Sequence, residues 1–486
     1  AAPLAMAVVG VPVFAALAVW VVRTHRADAA ERSTVAWGLY VNAALLTTLG
    51  AAIGAAFAVA STIVDRDWDG TAVAGLVVWA VLWTGHWLTW KAIPPTVLTR
   101  THLWLASGAG LWILGAFGGL LVNDAAERAF RTASEAVVTQ STRDLWMAAA
   151  GVLIGGAVWA WHWVFHGVRA PRSEGWYVYV LLFGVLAGLA AAVWGAGYGL
   201  YLVLEWFMGE SGGVGATVHF AGMSAAIAAG AVGLATWRYH RAVVGPSATR
   251  ERTEVDRIYD YLVSGVALAT VAVAVVILVL AFFEAITPAA AGGEGEGTGI
   301  NTLLAAVTLL LVGGPMWAIA WQRVQHLAAA NEEEAASSTR RTYLFGIFGV
   351  GGAVAFGALI ALLVAIFQAI LGESDGDSVA RAIRWPVALL VTTGGGALYH
   401  WLVYRAERHL VVRFPHRDVL LVGDGVIDVD EISKRVHAKV RVLHRLDLPE
   451  GAAPSTDAIV DAIAHAEGEH LLVIAEQDDV RVLPYE

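Results

Sequence analysis

Apolar stretches of about 20 residues, the length a helix needs to cross a bilayer, recur through the first 405 positions with short polar connections between them. They run over 4–22, 34–64, 71–90, 101–122, 145–166, 176–207, 214–237, 258–286, 301–321, 343–371 and 385–404. The pattern predicts an all-α polytopic membrane protein of about eleven transmembrane helices, each closing its own backbone hydrogen bonds as lipid requires. The first stretch has no basic segment ahead of it and Arg23 and Arg26 behind it, so it reads as a membrane helix rather than a signal peptide.

From the second stretch onward the helices fall into consecutive pairs, a first member A and a second member B. Three A helices open on the same spacing: Arg100, His102, Trp104, Gly108; Arg257, Tyr259, Tyr261, Gly265; and Arg341, Tyr343, Phe345, Gly349. The B helices close on an aromatic and histidine cluster: Trp83, His86, Trp87; Trp159, His162, Trp163; Trp237, His240, Arg241; Trp317, Ala320, Trp321; and Ala397, His400, Trp401. Five tandem hairpins follow, over 34–92, 100–168, 174–241, 257–328 and 341–405, preceded by a leading helix in 1–33. The leading helix, with Trp20 and Arg23 at its end, reads as a sixth B copy. The expectation is that one more helix precedes it in the native chain, or that this copy is degenerate.

Charge then sets the orientation, because Lys and Arg near helix ends are retained in the cytoplasm. The B-to-A connections carry Arg23, Arg26, Lys91, Arg169, Arg172, Arg250, Arg323 and Arg340, whereas the A-to-B connections carry Asp65, Asp67, Asp69, Asp124, Glu210, Glu294, Glu296, Glu373 and Asp375. The B-ends and the C-terminus are therefore expected inside the cell and Ala1 outside, in the cell (inner) membrane. The connection 123–144 is expected to hold a short amphipathic helix on the outer surface, and 289–298, rich in glycine, a flexible outer loop.

After Arg405 the pattern changes to short alternating runs. Strands are expected at 418–422, 439–443, 470–474 and 480–483 and helices at 430–437 and 456–467, which gives a small α/β cytoplasmic domain over 406–486. So small a core is expected to dock on the membrane part or on a partner.

Composition narrows the chemistry. Of 486 residues 58% are apolar, and there is no cysteine, which removes disulfides, thiolate metal sites and cysteine nucleophiles. A net charge of −10 with no basic stripe argues against nucleic acid. The spans hold almost no ionisable side chains at depth, as pumps and ion-coupled carriers require, and no span lysine is present for a retinal Schiff base. Glu205, Asn42 and Gln368 are the main polar span residues, and Gly313-Gly314-Pro315 is expected to kink one helix. Neither phosphate-binding nor hydrolase motifs occur.

The candidate site is the column His86, His162, His240 and His400, one histidine near the same end of four B helices. A neutral imidazole among flat aromatic rings is suited to bind haem or a chlorophyll-type magnesium. The competing reading is an aromatic belt, in which Trp, Tyr and His sit hydrated at headgroup level. His162 and His166 form an i, i+4 pair without an acidic third ligand, so no metal site is assigned. Gly50/Gly54, Gly115/Gly119, Gly151/Gly155 and Gly184/Gly188 have spacings that allow close helix contact. In the C-terminal domain Asp424, Asp428, Asp430 and Glu431 read as a solvated acidic loop.

The repeated hairpin, clearest at Arg257–Gly265 and Arg341–Gly349, resembles an uncharacterised family of bacterial polytopic membrane proteins built of tandem helix pairs, a domain of unknown function. The resemblance covers roughly 34–405 and implies the architecture and a bacterial membrane; it brings no catalytic residue. The expected function is a non-enzymatic membrane scaffold or accessory subunit without a cofactor, its partners the bilayer and other membrane subunits or further copies of itself. The alternatives are a haem- or pigment-binding subunit and a transporter or channel.

Overall fold

The computed structural model describes residues 2–92, 100–130, 142–245, 252–286, 299–372, 376–408, 418–423, 428–436, 438–444, 454–466, 468, 470–476 and 479–485. The chain divides into two compact units, Ala1–Val403 and Tyr404–Glu486.

The first unit is helical: α1 (Ala2–Ala27), α2 (Val35–Asp65), α3 (Gly70–Trp90), α4 (Thr101–Phe130), α5 (Thr142–Trp159), α6 (Glu174–Val178), α7 (Ala187–Met208), the short α8 (Ala216–His219), α9 (Met223–Val244), α10 (Glu254–Ile286), α11 (Gly299–Ala330), α12 (Glu332–Ala335), α13 (Ser338–Ile370), α14 (Gly376–Leu389) and α15 (Gly395–Glu407). Several begin where a side chain takes an otherwise orphaned backbone N–H: Thr34 accepts from Trp37, Asp69 from Thr71 and Ser337 from Arg340. Asp69, outside the spans, is held below the usual carboxylate range chiefly by the Thr71 hydroxyl. Three stretches wind as π-helix: 160–167 continues α5, 179–186 joins α6 to α7, and 390–394 joins α14 to α15.

Among the described residues ten helices are long and apolar enough to cross a membrane. The first of the eleven expected spans is helical throughout, but its described apolar stretch, Val8–Val21, is shorter than those ten. The 123–144 connection is redrawn: α4 continues through it to Phe130, its polar end closed by an Arg128–Asp124 pair at 2.8 Å, and α5 begins at Thr142. The residues between lie outside the described ones, as does the glycine-rich 289–298. Pro315 lies within one unbroken α11.

Consecutive long helices pack on each other: α2 on α3, α4 on α5, α7 on α9, α10 on α11 and α13 on α14. A second contact is staggered by one pair, because each A helix also lies against the B helix of the next pair: α2 on α5, α4 on α9, α7 on α11 and α10 on α14. Polar clamps fix two of these junctions at the A-helix end. Arg143 at the start of α5 bonds both carboxylate oxygens of Asp65 at 2.6 and 3.0 Å. Asn301 of α11 exchanges two 2.9 Å hydrogen bonds with the backbone of Glu210.

Only some of the spaced glycines pack helices. A Cβ at Gly151 would lie 2.2 Å from the Phe117 ring, and one at Gly188 would lie 2.6 Å from the backbone nitrogen of Trp237. Around Gly50, Gly54 and Gly119 there is open space.

The second unit is a four-stranded sheet, β1 (Asp418–Gly423), β2 (Lys439–His444), β3 (His470–Glu476) and β4 (Asp479–Pro484), ordered β2-β1-β3-β4. β1 runs parallel to β2 and β3, and β4 is antiparallel to β3. Val419, Leu421, Leu471, Val473 and Ala475 alternate onto one face and meet Ile432 of α16 (Val429–Val436) and Ile459 and Ile463 of α17 (Thr456–Ala464). Asp424 falls outside the described residues. Arg435 of α16 bridges to Asp457 of α17 at 2.6 Å, which raises the guanidinium above its ordinary value.

Candidate functional site

The B-helix histidines share one local geometry. In each, Nδ1 lies 2.7–2.8 Å from the carbonyl one turn back: His86 to Leu82, His162 to Val158, His240 to Thr236 and His400 to Gly396. A carbonyl only accepts, so Nδ1 carries the proton and Nε2 presents a lone pair. The sequence supplies this arrangement locally, because a helical residue's side chain reaches back over the preceding turn.

What meets Nε2 comes from other helices. Tyr40 of α2 donates to His86 at 3.3 Å, and Tyr179 donates to His240 at 3.2 Å while accepting the Trp159 indole N–H at 2.8 Å. Tyr343 of α13 packs at 5.9 Å, ring to ring, from His400. The Nε2 atoms of His162 and His400 are buried without a hydrogen-bond partner among the described residues.

The staggered packing adds a second neighbour. The tryptophan one residue after each histidine position lies on the histidine of the next B helix: Trp87 on His162 at 5.7 Å, Trp163 on His240 at 6.0 Å and Trp321 on His400 at 5.3 Å. Two of these indoles also donate to the tyrosine just before that histidine, Trp163 to Tyr239 at 3.0 Å and Trp321 to Tyr399 at 2.7 Å. Where the repeat carries Ala320 instead of histidine, the preceding B helix carries Arg241 instead of tryptophan, and Arg241 stacks on Tyr259 at 4.5 Å. The column is thus a row of Trp–His contacts between successive hairpins, and both members change together.

His162, His240 and His400 are 0–1% exposed, so their surroundings are protein and not hydrated headgroups. The belt expectation therefore does not describe these three. His86 alone of the four is half-buried, beside a cavity of about 780 Å³ between α1, α2 and α3. His166 turns its own Nδ1 to the Trp161 carbonyl at 2.7 Å, and among the described residues no group of three His, Asp or Glu is placed to hold a metal ion.

A second buried polar cluster lies where α10, α11, α12 and α13 meet. Glu334, nearly buried, accepts from Arg252 at 2.8 Å and from Arg257 at 3.1 Å. Arg252 also bonds Asp260, and fully buried Arg340 donates to Tyr261 at 3.0 Å and to Gln325. Sequence spacing marks Arg341 as the repeat's arginine, yet among the described residues Arg341 bonds the nearby Ser337 and Ala336 carbonyls, and its neighbour Arg340 enters the interior. Nothing in the spacing distinguishes the two; the partners on α10 and α11 do. Glu205 accepts from Tyr201 at 2.7 Å, with the His219 imidazole 3.9 Å away, at the opposite helix ends.

Residues 257–395, from α10 to the end of the π-helical stretch after α14, match the model of a domain of unknown function (DUF5671). No curated protein and no solved structure matches the chain.

Proposed function

We propose that the chain is a non-enzymatic integral membrane scaffold or accessory subunit of a bacterial cell membrane, with the C-terminal domain cytoplasmic and docking a partner. The observation that carries this reading is the staggered contact of each A helix with the next B helix. Such packing adds hairpins side by side, each burying its faces on its neighbours, and builds an extended wall with lipid-facing flanks. The arginines that gather at the B-ends favour the cytoplasm on that side.

The alternatives have less support. A haem or pigment at every histidine requires space beside each imidazole, and three of the rings are packed by tryptophan and tyrosine. A transporter or channel requires a polar path at mid-span, and the described ionisable clusters lie at helix ends.

Native mass spectrometry of the protein extracted with its surrounding bilayer tests the proposal. The expected species is a fixed-stoichiometry assembly, with a second membrane protein or further copies of the chain. A monomer that conducts ions or solutes in liposomes overturns it.

A further inference from the structure

We infer that the second face of the C-terminal sheet is an interface with another copy of this chain. Among the described residues both helices of this unit, α16 and α17, pack on the face that carries Val419, Leu421, Leu471 and Val473. The opposite face carries Leu443 of β2, Leu420 and Val422 of β1, Leu472 and Ile474 of β3, and Leu483 of β4. These six stand outside that core, and Leu443 and Leu483 are 52% and 48% exposed. Three of the four strands run parallel, and parallel strands are characteristically covered on both faces, so an aliphatic face left open by the unit's own helices calls for a partner.

Strand register makes this face self-complementary. Two cross-strand rows are aliphatic except at one corner each: Arg441, Leu420, Leu472, Leu483, and Leu443, Val422, Ile474, Arg481. A twofold axis along the strands, midway between β1 and β3, lays each row on its own reverse in the second copy. Leu420 then meets Leu472 and Val422 meets Ile474 in both directions, as an isologous contact requires, while the arginine stems cover Leu483 and Leu443. Charge favours a protein over lipid. Arg441 bonds Asp418 at 2.5 Å and Arg481 bonds Asp479 at 2.9 Å, so the face offers little net charge to an anionic leaflet. The exposed carboxylates Glu431, Asp457 and Asp461 lie on the helices behind it, and two copies meeting through the sheet keep them apart. Four strands and two rows make roughly 300 Å² per copy, short of the ~800 Å² of a free-standing complex, so the contact relies on copies confined to one bilayer at high effective concentration.

The cysteine-free sequence allows the test in the full chain, in native membranes, with a short bismaleimide. Leu472→Cys, beside the axis, is expected to give a cross-linked dimer, and Asp461→Cys, exposed on α17, is expected to stay monomeric. Adding Leu443→Lys and Leu483→Lys to Leu472→Cys sets each new lysine against Arg481 or Arg441 of the other copy. The dimer is then expected to fall about tenfold or more without a lower melting temperature, since both positions are about half exposed. The inference is overturned by equal cross-linking at Leu472→Cys and Asp461→Cys, which marks random collision, or by a dimer that survives the two lysines. It is overturned as well by a monomeric Leu472→Cys chain, whose face is then covered by another protein, by lipid or by nothing. The inference takes from the scaffold reading only that copies share one membrane side. An assembly in native mass spectrometry that is unchanged by the two lysines, with no cross-link at Leu472→Cys, keeps that reading and removes this interface.

Discussion

The Trp163 ring lies 6.0 Å from the imidazole of His240, and its indole N–H reaches the Tyr239 hydroxyl at 3.0 Å, so one side chain spans two successive B helices. Trp163 is fully buried and also meets Tyr179 at 4.5 Å. Trp163→Ala is expected to cost about 3–5 kcal/mol, the range for emptying a large aromatic site in a close-packed interior. Unfolding in detergent reads the loss, and the same substitution at lipid-facing Trp112, 65% exposed, is expected to have little effect.

Glu334 holds two arginines, Arg252 and Arg257, with little solvent to replace it. Glu334→Ala leaves both guanidinium groups short of an acceptor and is expected to destabilise by about 3–5 kcal/mol. Replacing Arg252 leaves Arg257 and Glu334 paired but takes the nearest cation from buried Asp260, so it is expected to cost a comparable amount. A double-mutant cycle of Arg252→Ala and Glu334→Ala, measured by urea unfolding, gives the coupling, and strict additivity contradicts a shared network.

Gly188 and Gly50 make a matched pair. A side chain at Gly188 meets the α9 backbone, so Gly188→Val is expected to push α7 from α9 and cost roughly 1–3 kcal/mol, whereas Gly50→Val is expected to stay within about 0.5 kcal/mol of the parent. Thermal unfolding of both variants in one detergent checks the contrast.

The absence of cysteine makes orientation directly measurable. Asp67→Cys, between α2 and α3, is expected to react with a membrane-impermeant maleimide in intact cells, and Arg169→Cys, between α5 and α6, only after permeabilisation. The reverse labelling inverts the topology.

Hydrophobic period and length were enough to establish the helices and the small α/β unit, because a bilayer admits few ways to satisfy a backbone and an alternating strand has only two faces. Chain spacing also placed His86, His162, His240 and His400 at one level, since aligned positions on equivalent helices recur at equal depth. It did not separate them. Whether an imidazole is sealed under Trp87, Trp163 or Trp321, or opens on a cavity beside Thr24, depends on which helix lies alongside. The same holds for Arg340 against Arg341, adjacent in the chain and opposite in fate. Local propensity fixes what a residue offers; only the staggered packing of the hairpins decides what it meets, because those contacts join residues some 60 to 90 positions apart.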